Sequence, residues 1–261
     1  MTVQRRFRLS RLLMTSLLTT SLLAGAVASG AVQAQGTAAA VAGAPCATTA
    51  APRTREYPWM SVARWKEMHA EDLAVADKGE VDLLFLGDSI TEGWPATVFN
   101  ASFGEFRTGN FGIGGDTTGN VLWRLQENRY AKLRPKAIVL LIGVNNFSFC
   151  GETPEQVFTG VRAVVEALRR QYPAARILLN AVLPTQEKPD AAKRQHVLAL
   201  NKLLATLQDA PHVLVRDYGA VFLQADGAIS KEVMPDFLHL SEKGYRLWSD
   251  AMLPDVKALM K

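Results

Sequence analysis

The chain has 261 residues, 48% of them hydrophobic and 21% charged, with 29 Lys and Arg against 25 Asp and Glu. That balance excludes a disordered or collagen-like chain and suffices for one domain with a large core. Four arginines, Arg5, Arg6, Arg8 and Arg11, sit in an acid-free leader, and without them 25 basic side chains face 25 acidic ones, so the basicity supports neither a nucleic-acid partner nor binding to an anionic membrane.

In chain order, residues 1–34 read as a secretory signal peptide: arginines first, an apolar stretch from Leu12 to about Ala28, then the small-residue ending Val32-Gln33-Ala34. A retained membrane anchor is the alternative, weakened by Thr15, Ser16, Thr19, Thr20 and Ser21 within the apolar stretch. The expected location is periplasmic or secreted, with no stable membrane insertion after cleavage. Arg5-Arg6 leaves the export route open. Residues 35–52 lack bulky apolar side chains and read as a low-complexity tether, and residues 53–261 as the domain.

Within the domain, apolar runs predict strands at Val81–Leu86, Lys136–Ile142, Arg176–Val182 and His212–Val215, with a fifth near Phe106–Phe111. Helices are expected at Thr117–Glu127, Pro154–Gln171, Asp190–Leu207 and Ser241–Met260. The second is marked by Thr153 as cap, Pro154 in the first position and Gln156 completing a capping box. Strands alternating with helices imply an α/β fold in which helices sandwich a parallel sheet. Function in such a sheet gathers at the carboxyl ends of strands.

Three motifs follow strand ends: Gly87-Asp88-Ser89, Gly112-Ile113-Gly114-Gly115-Asp116 and Gly143-Val144-Asn145-Asn146. Asp236-Phe237-Leu238-His239 precedes the last helix. Ester hydrolysis needs a nucleophile, a base, a group that orients the base, and donors for an oxyanion. Ser89 on a strand-to-helix turn is the candidate nucleophile, an N-cap serine being the plainer reading. His239 is the candidate base. Asp236, three residues earlier, is the candidate orienter that distinguishes this histidine from a surface one. The Ser89 N–H, the Gly115 N–H and the Asn145 side chain are candidate oxyanion donors, against a tight turn and a loop asparagine bonded to its own backbone.

These blocks resemble those of the SGNH, or GDSL-like, hydrolase family. Asn110-Phe111-Gly112-Ile113-Gly114-Gly115-Asp116-Thr117-Thr118 and Val121-Leu122-Trp123-Arg124-Leu125 are similar to its branch of intracellular platelet-activating factor acetylhydrolases, as are Leu183-Pro184, Ser230 and Asp236–Ser241. The similarity starts near Trp59-Met60-Ser61. It implies a three-layer, flavodoxin-like α/β/α sandwich (the SGNH hydrolase fold), no metal or other cofactor, and a small acyl pocket lined by Ile90, Val144 and Leu238. Val144 stands where the family often has Thr, which removes a hydroxyl from that pocket.

Other chemistries fit poorly. The glycines lack dinucleotide-fingerprint spacing, no phosphate loop is present, and His69, His196, His212 and His239 lack metal-ligand spacing. The two cysteines, Cys46 and Cys150, are expected to pair after export, with a free or intermolecular thiol as the alternative. Trp94, Phe147 and Phe149 either form a platform for the leaving group or pack. The expectation is an exported serine esterase removing short acyl groups, acetyl foremost. A carbohydrate O-deacetylase of cell-wall or plant polysaccharide shares every catalytic residue. A non-catalytic module that binds acyl esters or glycans has no need of a base beside a nucleophile.

Overall fold

Four apolar runs and one short mixed segment become strands in the computed structural model, which describes residues 45–261: β1 (Leu83–Gly87), β2 (Thr108–Gly112, the mixed one), β3 (Ala137–Leu141), β4 (Arg176–Asn180) and β5 (Val213–Arg216). All neighbours pair in parallel, in the order β2-β1-β3-β4-β5. β1 and β3 are buried at every position, as central strands covered on both faces must be. The expected leader and residues 35–44 of the expected tether lie outside the described residues.

The helices are α1 (Val62–Lys78), α2 (Ser89–Glu92), α3 (Ala96–Phe103), α4 (Thr118–Leu125), α5 (Pro154–Gln171), α6 (Ala192–Leu204) and α7 (Glu242–Leu259). From β1 the chain moves outward to β2 through α2 and α3, then reverses across the sheet to β3, β4 and β5 through α4, α5 and α6. Right-handed crossovers in opposite directions put these two sets of helices on opposite faces. α4 packs on α5 and α5 on α6, while α3 packs on α7, which completes three layers. The reversal lies between β1 and β3, and their carboxyl ends form the crevice where such sheets carry function.

Local chemistry explains the helix that positions this end. The Thr153 hydroxyl accepts from the Gln156 N–H, the Gln156 side chain accepts from the Thr153 N–H, and Pro154 occupies the first turn. Val157, Val161, Val164, Val165 and Leu168 then face the core, each contributing about 1.5–3 kcal/mol by burial. No comparable periodicity marks α1. Its buried face mixes Trp65, Met68 and Leu73 with His69 and Asp72, polar groups that pair with Tyr130 and Arg124 from distant segments.

Residues 45–52 depart from the expected tether, since they pack on the domain. Cys46 is disulfide-bonded to Cys150, and the Ala47 side chain is buried. The Ala47 N–H donates to Glu152 at 2.7 Å, its carbonyl accepts from the Thr118 hydroxyl at 2.8 Å, and the Ala51 N–H donates to the Gly119 carbonyl. Gly119 permits this approach, because a Cβ there would sit 2.3 Å from the Cys46 carbonyl oxygen. Backbone hydrogen bonds and a cross-link hold a segment whose own side chains are too small to anchor it.

Candidate active site

β1 ends at Gly87, and Asp88 turns the chain into α2. The Asp88 side chain caps the helix by accepting from the Ile90 N–H at 3.0 Å, so Ser89 becomes the first helical residue, with an N–H that has no intrahelical acceptor. Tyr245 of α7, in the same helical layer, donates to the Ile90 carbonyl at 2.7 Å and fixes α2 in place.

The Ser89 hydroxyl lies 2.9 Å from His239 Nε2, and His239 Nδ1 lies 2.7 Å from Asp236 Oδ2. With the ring proton on Nδ1, that nitrogen donates to the carboxylate and leaves Nε2 free to accept from serine. Burial pushes the Asp236 carboxyl up, but the His239 ring and the His239 and Leu238 N–H groups outweigh it and hold it below its ordinary value. Phe237, between them, has a left-handed backbone (φ 59°), uncommon for a bulky residue. Its carbonyl accepts from the Gln186 N–H and the Thr185 hydroxyl, which anchors the Asp236–His239 loop to the segment after β4.

The second block continues the β1–β2 ladder, with the Ile113 N–H donating to the Gly87 carbonyl at 3.1 Å. Each peptide group beyond it is held separately. The Gly114 N–H donates to Glu92 at 2.6 Å, and the Gly114 carbonyl accepts from Arg53 Nη2 at 2.7 Å. The Asp116 carbonyl accepts from Asn145 Nδ2 at 3.0 Å. Between them, the Gly115 N–H meets no acceptor among the described residues, although the residue is buried. Gly115 adopts φ 74°, and a Cβ there would lie 2.5 Å from Trp59 and 2.9 Å from Arg53 Nη2, so glycine is required on both counts. Free backbone donors at Ser89 and Gly115, with the second hydrogen of the Asn145 amide, can receive developing negative charge.

Behind this loop Asp116 is fully buried. It accepts from Trp65 Nε1 at 2.6 Å and pairs with Arg124 at 3.3 Å and Arg53 at 3.5 Å. Behind Asn145, the Asn146 side chain accepts from the Thr118 N–H and donates to the Thr118 hydroxyl and Glu152. Ile90 and Val144, expected in the acyl pocket, are buried in the main apolar cluster beside Ser89 and Asn145, and Leu238 packs partly against it. Trp94 and Phe147 belong to the core, whereas Phe149 is half-buried and joins Tyr57 and Trp59 in an aromatic group with centroids 4.8–6.3 Å apart. Among the described residues no group of three or more His, Cys, Asp and Glu side chains could hold a metal ion.

The model of the GDSL-like lipase/acylhydrolase family matches residues 85–247, from β1 through the Asp236–His239 loop into α7. The chain belongs to this family. It is 36% identical to the platelet-activating factor acetylhydrolase IB subunit alpha2 of Gallus gallus over 183 residues, 70% of this chain and 79% of that one. In fold it is similar to a GDSL-like lipase from Bacteroides thetaiotaomicron (TM-score 0.61, 21% identity, covering 75% of this chain and 98% of that one). It is also similar in fold to a variant of an acetyl-xylooligosaccharide esterase from Geobacillus Stearmophilus (TM-score 0.54, 18% identity, 67% and 93% covered). As a GDSL-like acylhydrolase, the protein is a hydrolytic, ester-cleaving enzyme. Arg53, Glu92 and Trp65, which hold the second block, escape a reading of motifs because no short-range pattern links them to it.

Proposed function

We propose that this acylhydrolase is an exported serine esterase that removes short acyl groups, acetyl foremost, through an acyl-enzyme on Ser89. The observation that carries the reading is the unbroken relay from Ser89 through His239 to Asp236. Ser89 gives its proton to His239 Nε2 as its oxygen attacks the acyl carbon. The carbonyl oxygen becomes an oxyanion facing the Ser89 and Gly115 N–H groups and the Asn145 amide. Asp236 stabilises the imidazolium. Collapse expels the alkoxide, which takes the proton from Nε2. Water then repeats the sequence in reverse, giving its proton to Nε2, attacking the acyl carbon and releasing carboxylic acid while Ser89 regains its proton.

The acetyl preference is supported by the bulk of Ile90, Val144 and Leu238 and by the acetylhydrolase named among the relatives. Export is supported by the leader and by the Cys46–Cys150 disulfide, a bond that persists in oxidising compartments. One observation favours the deacetylation of carbohydrate as a second reading: Trp59 is 55% exposed, stacks on Tyr57 and borders Gly115, offering a flat apolar surface for a sugar ring.

The test is Ser89→Ala. A folded protein with activity on short aryl esters lowered by several orders of magnitude is expected, together with labelling of wild-type Ser89 by an organophosphorus ester. Near-normal turnover, or a label on another residue, overturns the assignment.

A further inference from the structure

Arg53 lies outside the segment that the family model matches, yet it reaches the core of the site. It is 5% exposed, and its guanidinium lies over the Tyr57 and Trp65 rings at 5.4 and 5.9 Å. Burying a guanidinium is costly unless it is compensated, and the compensation here is geometrically specific. One bond goes to the Gly114 carbonyl at 2.7 Å, and a longer ion pair goes to Asp116 at 3.5 Å.

The Gly114 carbonyl and the Gly115 N–H belong to one trans peptide plane and point in opposite directions. Whatever holds the carbonyl on one side therefore aims the N–H to the other. Glycines on both sides of this plane make its rotation easy, and Gly115 already sits at positive φ. A rotated plane would present a carbonyl oxygen, which repels an oxyanion, where a donor is needed. The neighbouring contacts do not prevent this, because Glu92 holds the N–H of the preceding peptide and Asn145 the carbonyl of the Asp116 peptide.

We infer that Arg53 is a positioning residue that locks the Gly114–Gly115 peptide with its N–H toward the oxyanion, and that it is delivered to this place by the strap Cys46–Arg53. The strap is fixed to the third block by the disulfide to Cys150 and by Ala47 on Glu152, whose other oxygen accepts from Asn146. Two donors of the oxyanion site are thus braced by one segment N-terminal to all four motifs. The inference rests on the esterase reading, in that it assigns Gly115 as an oxyanion donor.

Arg53→Met tests it, since methionine fills part of the volume and cannot donate to a carbonyl. Activity is measured per active site titrated with an organophosphorus ester, so that unfolded protein does not count. The expected result is a loss of about 10- to 100-fold in kcat with KM changed less than about twofold. That is below the roughly 10²–10³ typical of deleting an oxyanion donor outright. The inhibition constant of a trifluoromethyl ketone, whose adduct with serine carries an oxyanion, should rise by the same factor. Should Arg53→Met fail to fold, Arg53→Lys retains charge and stem but lacks the planar fork, and the same loss in kcat is expected at smaller size. Wild-type kcat per titrated site in the folded variant, or a loss confined to KM or to the fraction of titratable sites, overturns the role of Arg53. Inert wild-type protein, or full activity in Ser89→Ala, overturns the esterase reading instead.

Discussion

Asn145 donates one hydrogen of its side-chain amide to the carbonyl of Asp116 at 3.0 Å, across 29 residues of sequence. This bond ties the loop after β3 to the loop after β2 and fixes which way the amide faces. In the proposed mechanism its second hydrogen meets the reacting oxygen. Asn145→Ala should therefore lower kcat for an acetyl ester by about 10²–10³ with a small change in KM. A variant with wild-type kcat would remove Asn145 from the oxyanion site.

Acyl selectivity should fall from acetyl through butyryl to hexanoyl. Ile90 and Val144 are locked into the main core and cannot swing aside, so each methylene that is not accommodated raises the barrier by about 1–3 kcal/mol. Rates on an aryl ester series of increasing chain length give the answer directly. A preference for octanoyl esters contradicts the small pocket.

Asp88 predicts a pH dependence of stability. Burial pushes its carboxyl up from 3.8 to about 7, the Ile90 N–H opposes this, and the nearby Asp116 adds to it. Its Oδ2 has no hydrogen-bond partner among the described residues. The folded protein thus keeps a proton that the unfolded chain has already lost, so this group's contribution weakens as pH rises from about 4 through about 7. Asp88→Asn cannot titrate and retains the cap. Between pH 5 and pH 8 its Tm should fall several degrees less than that of the wild type, at about 2–4 °C per kcal/mol for a domain of this size. Parallel Tm-versus-pH curves would show that Asp88 is ionised throughout.

The Cys46–Cys150 bond spans 104 residues of sequence, and in the entropic account such a closure contributes up to about 4–5 kcal/mol. Reduction under native conditions should lower the Tm, and Cys46→Ser should lower it equally. Mass analysis after alkylation should find no free thiol before reduction and two after it. Two free thiols in unreduced protein would exclude the bond.

Much of this protein is legible in its sequence because the signals are local. The run Leu83–Leu86 is apolar at every position since both faces of β1 are covered, and Thr153, Pro154 and Gln156 fix the start of α5 by hydrogen bonds within four residues. The pairing of Asp236 with His239 is likewise a matter of three residues. The distance between Ser89 and His239 is not, for 150 residues separate them and the three-layer packing alone brings them to 2.9 Å.

Tertiary structure also decided the fate of 45–53 and of α1. Small residues at 45–52 carry no apolar pattern, so their order comes from backbone hydrogen bonds to Glu152, Thr118 and Gly119 and from a cross-link. The buried charges behind the second block are equally silent in sequence. Arg53 and Trp65 belong to no motif, and the motif stretches that hold Asp116 and Arg124 say nothing of their pairing; once folding removes their water, each must find its partner in a segment that no periodicity connects to its own.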